Sequence, residues 1–145
     1  MSMFGRRTGR MQFTLTRIYQ FSSAHRLNAP ELSAKENEAI YDQCNNLNGH
    51  GHDYHLEVSI TGKPHNMTGM IMPLNDFDAC VSHVLDKLDY KHLDKEVEFF
   101  KSNLSSGEII IHYLWKELES QFPENMLYHL KLWETNNNYF ECGRN

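Results

Sequence analysis

Two stretches of strict alternation constrain this chain more than any other feature in it. From Gln12 to His25 the apolar side chains Phe13, Leu15, Tyr19 and Phe21 share one parity, and Gln12, Thr14, Thr16 and Gln20 take the other. A period of two sends successive side chains to opposite faces of an extended chain, so this segment predicts a half-buried β-strand. Alternation returns with Tyr54, Leu56, Val58 and Ile60 set against His55, Glu57 and Ser59, until Gly62 and Pro64 interrupt it. The intervening stretch, residues 28–43, is polar, carries Pro30, and reads as a surface excursion with about one helical turn.

The period then changes. After Pro73, residues Leu74, Phe77, Val81, Val84, Leu85 and Leu88 recur at spacings of three and four, which predicts an amphipathic helix. Ser105 with Glu108 has the form of a capping box and predicts the start of a second helix through Ile110, Tyr113, Leu114 and Leu118, ended by Pro123. Strand patterning resumes from Met126 to Trp133 and again around Tyr139, with Asn136, Asn137 and Asn138 as the turn between. The order is ββααββ. Hairpins at both ends and no βαβ alternation predict an α+β fold, a four-stranded antiparallel sheet with two helices on one face.

Composition sets limits on function. A chain of 145 residues, 40% hydrophobic, suits one domain over residues 11–145, and the polar residues 1–10 read as a disordered extension. Fourteen basic against nineteen acidic side chains leave a charge of −5 without long runs of either sign, so neither nucleic acid nor an anionic membrane is an expected partner. No segment approaches the roughly 20 apolar residues of a membrane span. Cys44, Cys80 and Cys142 are odd in number and far apart, which suits free thiols in a reducing cytoplasm.

Chemistry enters through three of the nine histidines. His25 shares the parity of the apolar residues of the first strand, and His50 and His52 share that of Tyr54 to Ile60, so all three are expected on the sheltered face. Residues at i and i+2 on a strand stand side by side, and neutral imidazoles are good zinc ligands. Gly49 and Gly51 leave room for that approach. His55 falls on the polar side, and His65, His83, His92, His112 and His129 lack such pairing. Three protein ligands leave a tetrahedral position open, as in catalytic zinc sites. Cys44, six residues before His50, could close that position as a fourth ligand or could serve beside the metal as a base.

The segments 21–27 (Phe-Ser-Ser-Ala-His-Arg-Leu), 44–54 (Cys-Asn-Asn-Leu-Asn-Gly-His-Gly-His-Asp-Tyr), Thr68-Gly69-Met70, Leu88-Asp89 and 133–137 (Trp-Glu-Thr-Asn-Asn) resemble the 6-pyruvoyltetrahydropterin synthase family, which includes the 6-carboxytetrahydropterin synthases. The resemblance runs from about residue 12 to 142. It implies the tunnelling fold, assembled as trimers or hexamers with active sites at subunit interfaces. It also implies His25, His50 and His52 as zinc ligands and Cys44 as the proton-abstracting base. The implied substrate is 7,8-dihydroneopterin triphosphate, with Glu134 anchoring the pterin ring and Thr135, Ser106 and Glu108 as further substrate-binding positions. The parity of Glu134 with Leu130 and Leu132 independently places it on an apolar face.

One departure stands out. The family usually carries an Asp-His pair after the first helix, and this chain has Asp89-Tyr90-Lys91-His92. A phenol near pKa 10 is a poor neutral-pH proton shuttle beside an imidazole near 6.5. His92 could take over the relay with Asp89, Tyr90 could act as an acid, or the relay could be lost. Five residues between Cys44 and His50 resemble the pyruvoyl-forming branch, which eliminates triphosphate to give 6-pyruvoyltetrahydropterin. The carboxy-forming reaction of the queuosine pathway is the alternative, and a non-catalytic zinc- and pterin-binding protein is another. The two readings of Cys44 separate cleanly: Cys44→Ala is expected to retain bound metal, measured by atomic absorption, and loss of the metal would make Cys44 a ligand.

Overall fold

The computed structural model describes residues 11–145, and the extension expected over residues 1–10 lies outside the described residues. The two alternating segments form long strands, β1 (Phe13–His25) and β2 (His50–Gly62). They pair antiparallel along their whole length, from Phe13 opposite Gly62 to His25 opposite His50. β2 pairs in turn with β4 (Leu127–Trp133), and β4 with β5 (Tyr139–Gly143), both antiparallel. A bulge between Ser59 and Ile60 shifts the β2–β4 register, so both residues are buried despite their opposite parity.

The sheet corrects the four-stranded expectation. A two-residue strand, β3 (Lys91–His92), runs parallel to β1, giving a five-stranded mixed sheet in the order β3-β1-β2-β4-β5. Two residues are too short to show a period. Tyr90 produces the turn that sets β3 in place: its φ is +58°, and its N–H donates to the Ser22 carbonyl.

The two expected helices are joined by three short ones, so that the described residues form α1 (Ala34–Tyr41), α2 (Leu74–Leu85), α3 (Leu93–Glu96), α4 (Glu98–Lys101) and α5 (Gly107–Glu119). A side-chain N-cap is made at α1, where the Ser33 hydroxyl accepts from the Glu36 N–H and donates to the Glu36 carboxylate. At α5 the expected cap is displaced by one residue. Ser106 is the N-cap, and the Ser105 hydroxyl instead donates to Asp94. The helix α2 ends at Leu85, and Leu88 is buried in the turn that follows.

Apolar stripes on α2 and α5 cover one face of the sheet. Phe77, Val81 and Val84, with Ile110, Leu114 and Leu118, join Tyr54, Leu56, Val58, Ile60, Leu130 and Leu132 in one core. Among the described residues, the helices α2 and α5 lie on the core side and leave the opposite face exposed. There Ile18 is 67% exposed, and the Lys131 ammonium lies over the rings of Trp133 and Tyr139 at 4.9 and 4.0 Å. Truncating Leu114, fully buried between helix and sheet, leaves a cavity. Leu114→Ala is expected to cost about 2–5 kcal/mol in denaturant unfolding, and a cost under about 1 kcal/mol would contradict the assigned core.

Candidate metal centre

The β1–β2 register brings His25 and His50 together as the last pair of the ladder, with His52 opposite Ser23 on the same face. The three imidazoles meet with ring centroids 4.6, 5.2 and 4.8 Å apart. Candidate ligand atoms all lie within 4.8 Å of one another, so these histidines could hold a metal ion. The Nε2 atoms of His25 and His50 face each other at 3.0 Å.

Approach at this end depends on Gly49. A Cβ there would lie 3.0 Å from the His25 carbonyl oxygen and 2.9 Å from Nε2 of His92, and φ is +77°. Gly51 is less critical, since a Cβ there meets the Ser23 carbonyl oxygen at an ordinary 3.7 Å.

His25 is 1% exposed, and its Nδ1–H donates to the Ser105 carbonyl at 2.7 Å. That bond fixes the tautomer and leaves Nε2 as the lone-pair nitrogen. Nε2 of His52 is buried with no partner among the described residues, a condition that a bound cation would relieve. Burial lowers the pKa of both His50 and His52, keeping them in the neutral form that ligates metals. The donor set therefore fits a divalent ion of the zinc type.

Cys44 lies in the short 3₁₀ helix Asp42–Asn45. Its carbonyl accepts from the Leu27 N–H, and the Asn45 amide donates to the Leu27 carbonyl, which ties the thiol-bearing turn to the chain just beyond His25. Cys44 is not part of the three-histidine cluster. Burial pushes its thiol pKa up, and the negative charges of Glu134 and Asp42 add to that.

Glu134 follows Trp133, which pairs with His55, and so ends β4 beside the histidine end of β2. Its charge reaches Cys44, His50, His52 and the fully buried Tyr54, whose phenol is raised mainly by burial. The Glu134 carboxylate accepts from the Asn138 amide at 3.4 Å. Thr135 is exposed and bonds through its hydroxyl to Asn138 in the same turn.

The other expected residues lie elsewhere in the chain. Ser106 caps α5 without a side-chain cap bond, directly after the residue that anchors His25. Glu108 lines a separate cavity of about 370 Å³ with Trp115, Phe140 and Cys142. The Asp89 carboxylate accepts from the Ser22 N–H, and Tyr90 is 85% exposed. His92 pairs with Ala24 and so shares the face opposite His25. Its Nδ1 is buried and unpartnered among the described residues, 4.0 Å from Asp94. Sequence reasoning overlooked Asp94 and read Ser105 only as a helix cap, since no motif marks a residue that works through hydrogen bonds to a ligand's neighbours.

With this α+β fold and site in view, comparison with known proteins places the chain. The family model described as 6-pyruvoyl tetrahydropterin synthase matches residues 14–145. The chain belongs to this family. The 6-pyruvoyl tetrahydrobiopterin synthase of Poecilia reticulata is 39% identical over 125 residues, covering 86% of this chain and 85% of the relative. The human protein of the same name is 38% identical over 130 residues, 89% of this chain and 90% of its own. The solved structure of Caenorhabditis elegans 6-pyruvoyl tetrahydropterin synthase superposes with a TM-score of 0.88 at 37% identity, over 92% of this chain and 96% of that one.

The lowered pKa values of His50 and His52 have a consequence for stability. A histidine whose folded pKa lies below the unfolded value of about 6.5 contributes stability that is present above that pH and lost as pH falls through the folded value. The melting temperature of the metal-free protein is therefore expected to fall below about pH 6.5, and less steeply in His50→Gln. Equal slopes in the two proteins would contradict this.

Proposed function

We propose that this chain is a zinc-dependent lyase that eliminates triphosphate from 7,8-dihydroneopterin triphosphate to give 6-pyruvoyltetrahydropterin. The observation that carries the reading is the convergence of three imidazoles, two of them with an unpartnered buried nitrogen, at a sheet end within the field of Glu134 and beside the turn that carries Cys44. Zinc held by His25, His50 and His52 would supply Lewis-acid polarisation of the substrate's side-chain oxygens, which acidifies the adjacent C–H groups. Cys44 is the base that receives a side-chain proton at Sγ. Its resting thiol is held protonated by burial and by Glu134 and Asp42, and neighbouring positive charge favours the thiolate.

Glu134 anchors the pterin, because adjacent N–H donors on the ring edge can give a carboxylate two hydrogen bonds at once. The Thr135 and Ser106 hydroxyls and the Glu108 carboxylate are further substrate contacts. Asp89 and His92 form the relay in place of the usual Asp-His pair. Because His92 shares the face opposite the triad in its own chain, and Glu108 lines a different cavity, both act across subunit interfaces in a trimer or hexamer. The sheet face that carries exposed Ile18, and the exposed Tyr90, support such an assembly. The reaction is internal to the substrate, with ring reduction matched by side-chain oxidation, so it draws on no redox cofactor.

The test is product analysis after incubating zinc-loaded protein with 7,8-dihydroneopterin triphosphate. Triphosphate release and 6-pyruvoyltetrahydropterin are expected, with release reduced at least about 100-fold in Cys44→Ala and His92→Ala, the scale of a lost acid–base group. Formation of 6-carboxytetrahydropterin would assign the side-chain-cleaving branch. No release despite bound zinc and pterin would leave a binding protein.

A further inference from the structure

We infer that Asp94 is the positioning residue of the metal centre, clamping His25 from both sides and thereby setting the affinity for the ion. One carboxylate oxygen accepts from the Ser105 hydroxyl at 2.7 Å, and the other accepts from the Arg26 N–H at 2.6 Å. Arg26 directly follows His25 in the chain. Ser105 supplies the carbonyl that holds Nδ1–H of the His25 ring at 2.7 Å. A single carboxylate therefore fixes both the backbone leaving His25 and the carbonyl that orients its ring.

The burial of these groups makes the clamp selective. Ser105 is fully buried and His25 is 1% exposed, so water does not replace a lost bond easily. Ser105 is not needed as a helix cap, because Ser106 occupies that position in α5. Its hydroxyl is spent on Asp94 alone. A bond from a ligating imidazole to a carbonyl sharpens ring orientation and raises ligand basicity, and partners of this kind typically carry 10- to 100-fold in metal affinity. Asp94 extends that control one residue further, from α3 across to the ends of β1 and the loop before α5.

The inference rests on the three histidines holding a divalent ion and is independent of which reaction follows. Its test is zinc affinity by chelator competition on the full chain, for Asp94→Asn, Ser105→Ala and the double variant, with Co²⁺ absorption spectra as a report on ligand geometry. Asn retains one acceptor oxygen and cannot replace both accepted bonds. Each single variant is expected to bind zinc at least about 10-fold more weakly with an altered Co²⁺ spectrum, and the double variant to lose little beyond the larger single effect, as members of one chain of bonds should. Asn37→Ala removes an equally buried side chain whose bonds go to the Ala29, Leu32 and Ser33 backbone rather than to His25, Arg26 or Ser105. It should lower the melting temperature and leave zinc affinity unchanged. Unaltered affinity in Ser105→Ala would overturn the proposal even if Asp94→Asn fails to fold, as would effects of the two single variants that multiply. Wild-type protein that binds no ion would overturn the metal reading along with it.

Discussion

The antiparallel ladder between β1 and β2 is the constraint on which the rest of this structure depends. It is continuous from Phe13 opposite Gly62 to His25 opposite His50, and one register decides two things at once. It turns Tyr54, Leu56, Val58 and Ile60 toward α2 and α5, and it brings three imidazoles to the same face at the ladder's open end. A slip of one residue would send that whole set of side chains to the opposite face. Burial of the core therefore protects the histidine cluster against a one-residue slip, which would carry the ligands and the apolar side chains to the wrong face together.

Around that cluster the electrostatics are divided between neutral and negative groups. His50 and His52 are kept neutral by burial, while burial raises the Cys44 thiol and the Tyr54 phenol, with Glu134 adding to both and Asp42 to Cys44. A site of neutral donors set among carboxylates is suited to a cation, which would offset the negative field and free the thiol to ionise.

Much of this was legible in the sequence, and the reasons are particular. Parity alone placed His25, His50 and His52 on one face of the β1–β2 ladder, where their ligand atoms meet, because a strand's period leaves no freedom once one apolar residue is fixed. The helical stripe from Leu74 to Leu85 was equally plain. Where the reading failed, a local signal had two possible users. Ser-x-x-Glu occurs at Ser33 and at Ser105, and only the first serine caps its helix through its side chain; tertiary contact with Asp94 claims the second. The strand β3 depends on a positive φ at Tyr90, a backbone state that an exposed tyrosine does not advertise. Asp94 escaped notice because its role exists only through the folded proximity of Arg26 and Ser105.

The central claim is that His25, His50 and His52 alone supply the protein ligands of a zinc ion with an open coordination position. X-ray absorption fine structure at the zinc edge of the loaded protein tests this most directly. Three imidazole nitrogens at about 2.0–2.1 Å with one further light atom, and no sulfur, is the spectrum this structure leads us to expect. A sulfur scatterer at about 2.3 Å would make Cys44 a ligand and the site a closed structural one, and fewer than three imidazoles would contradict the ladder-end centre itself.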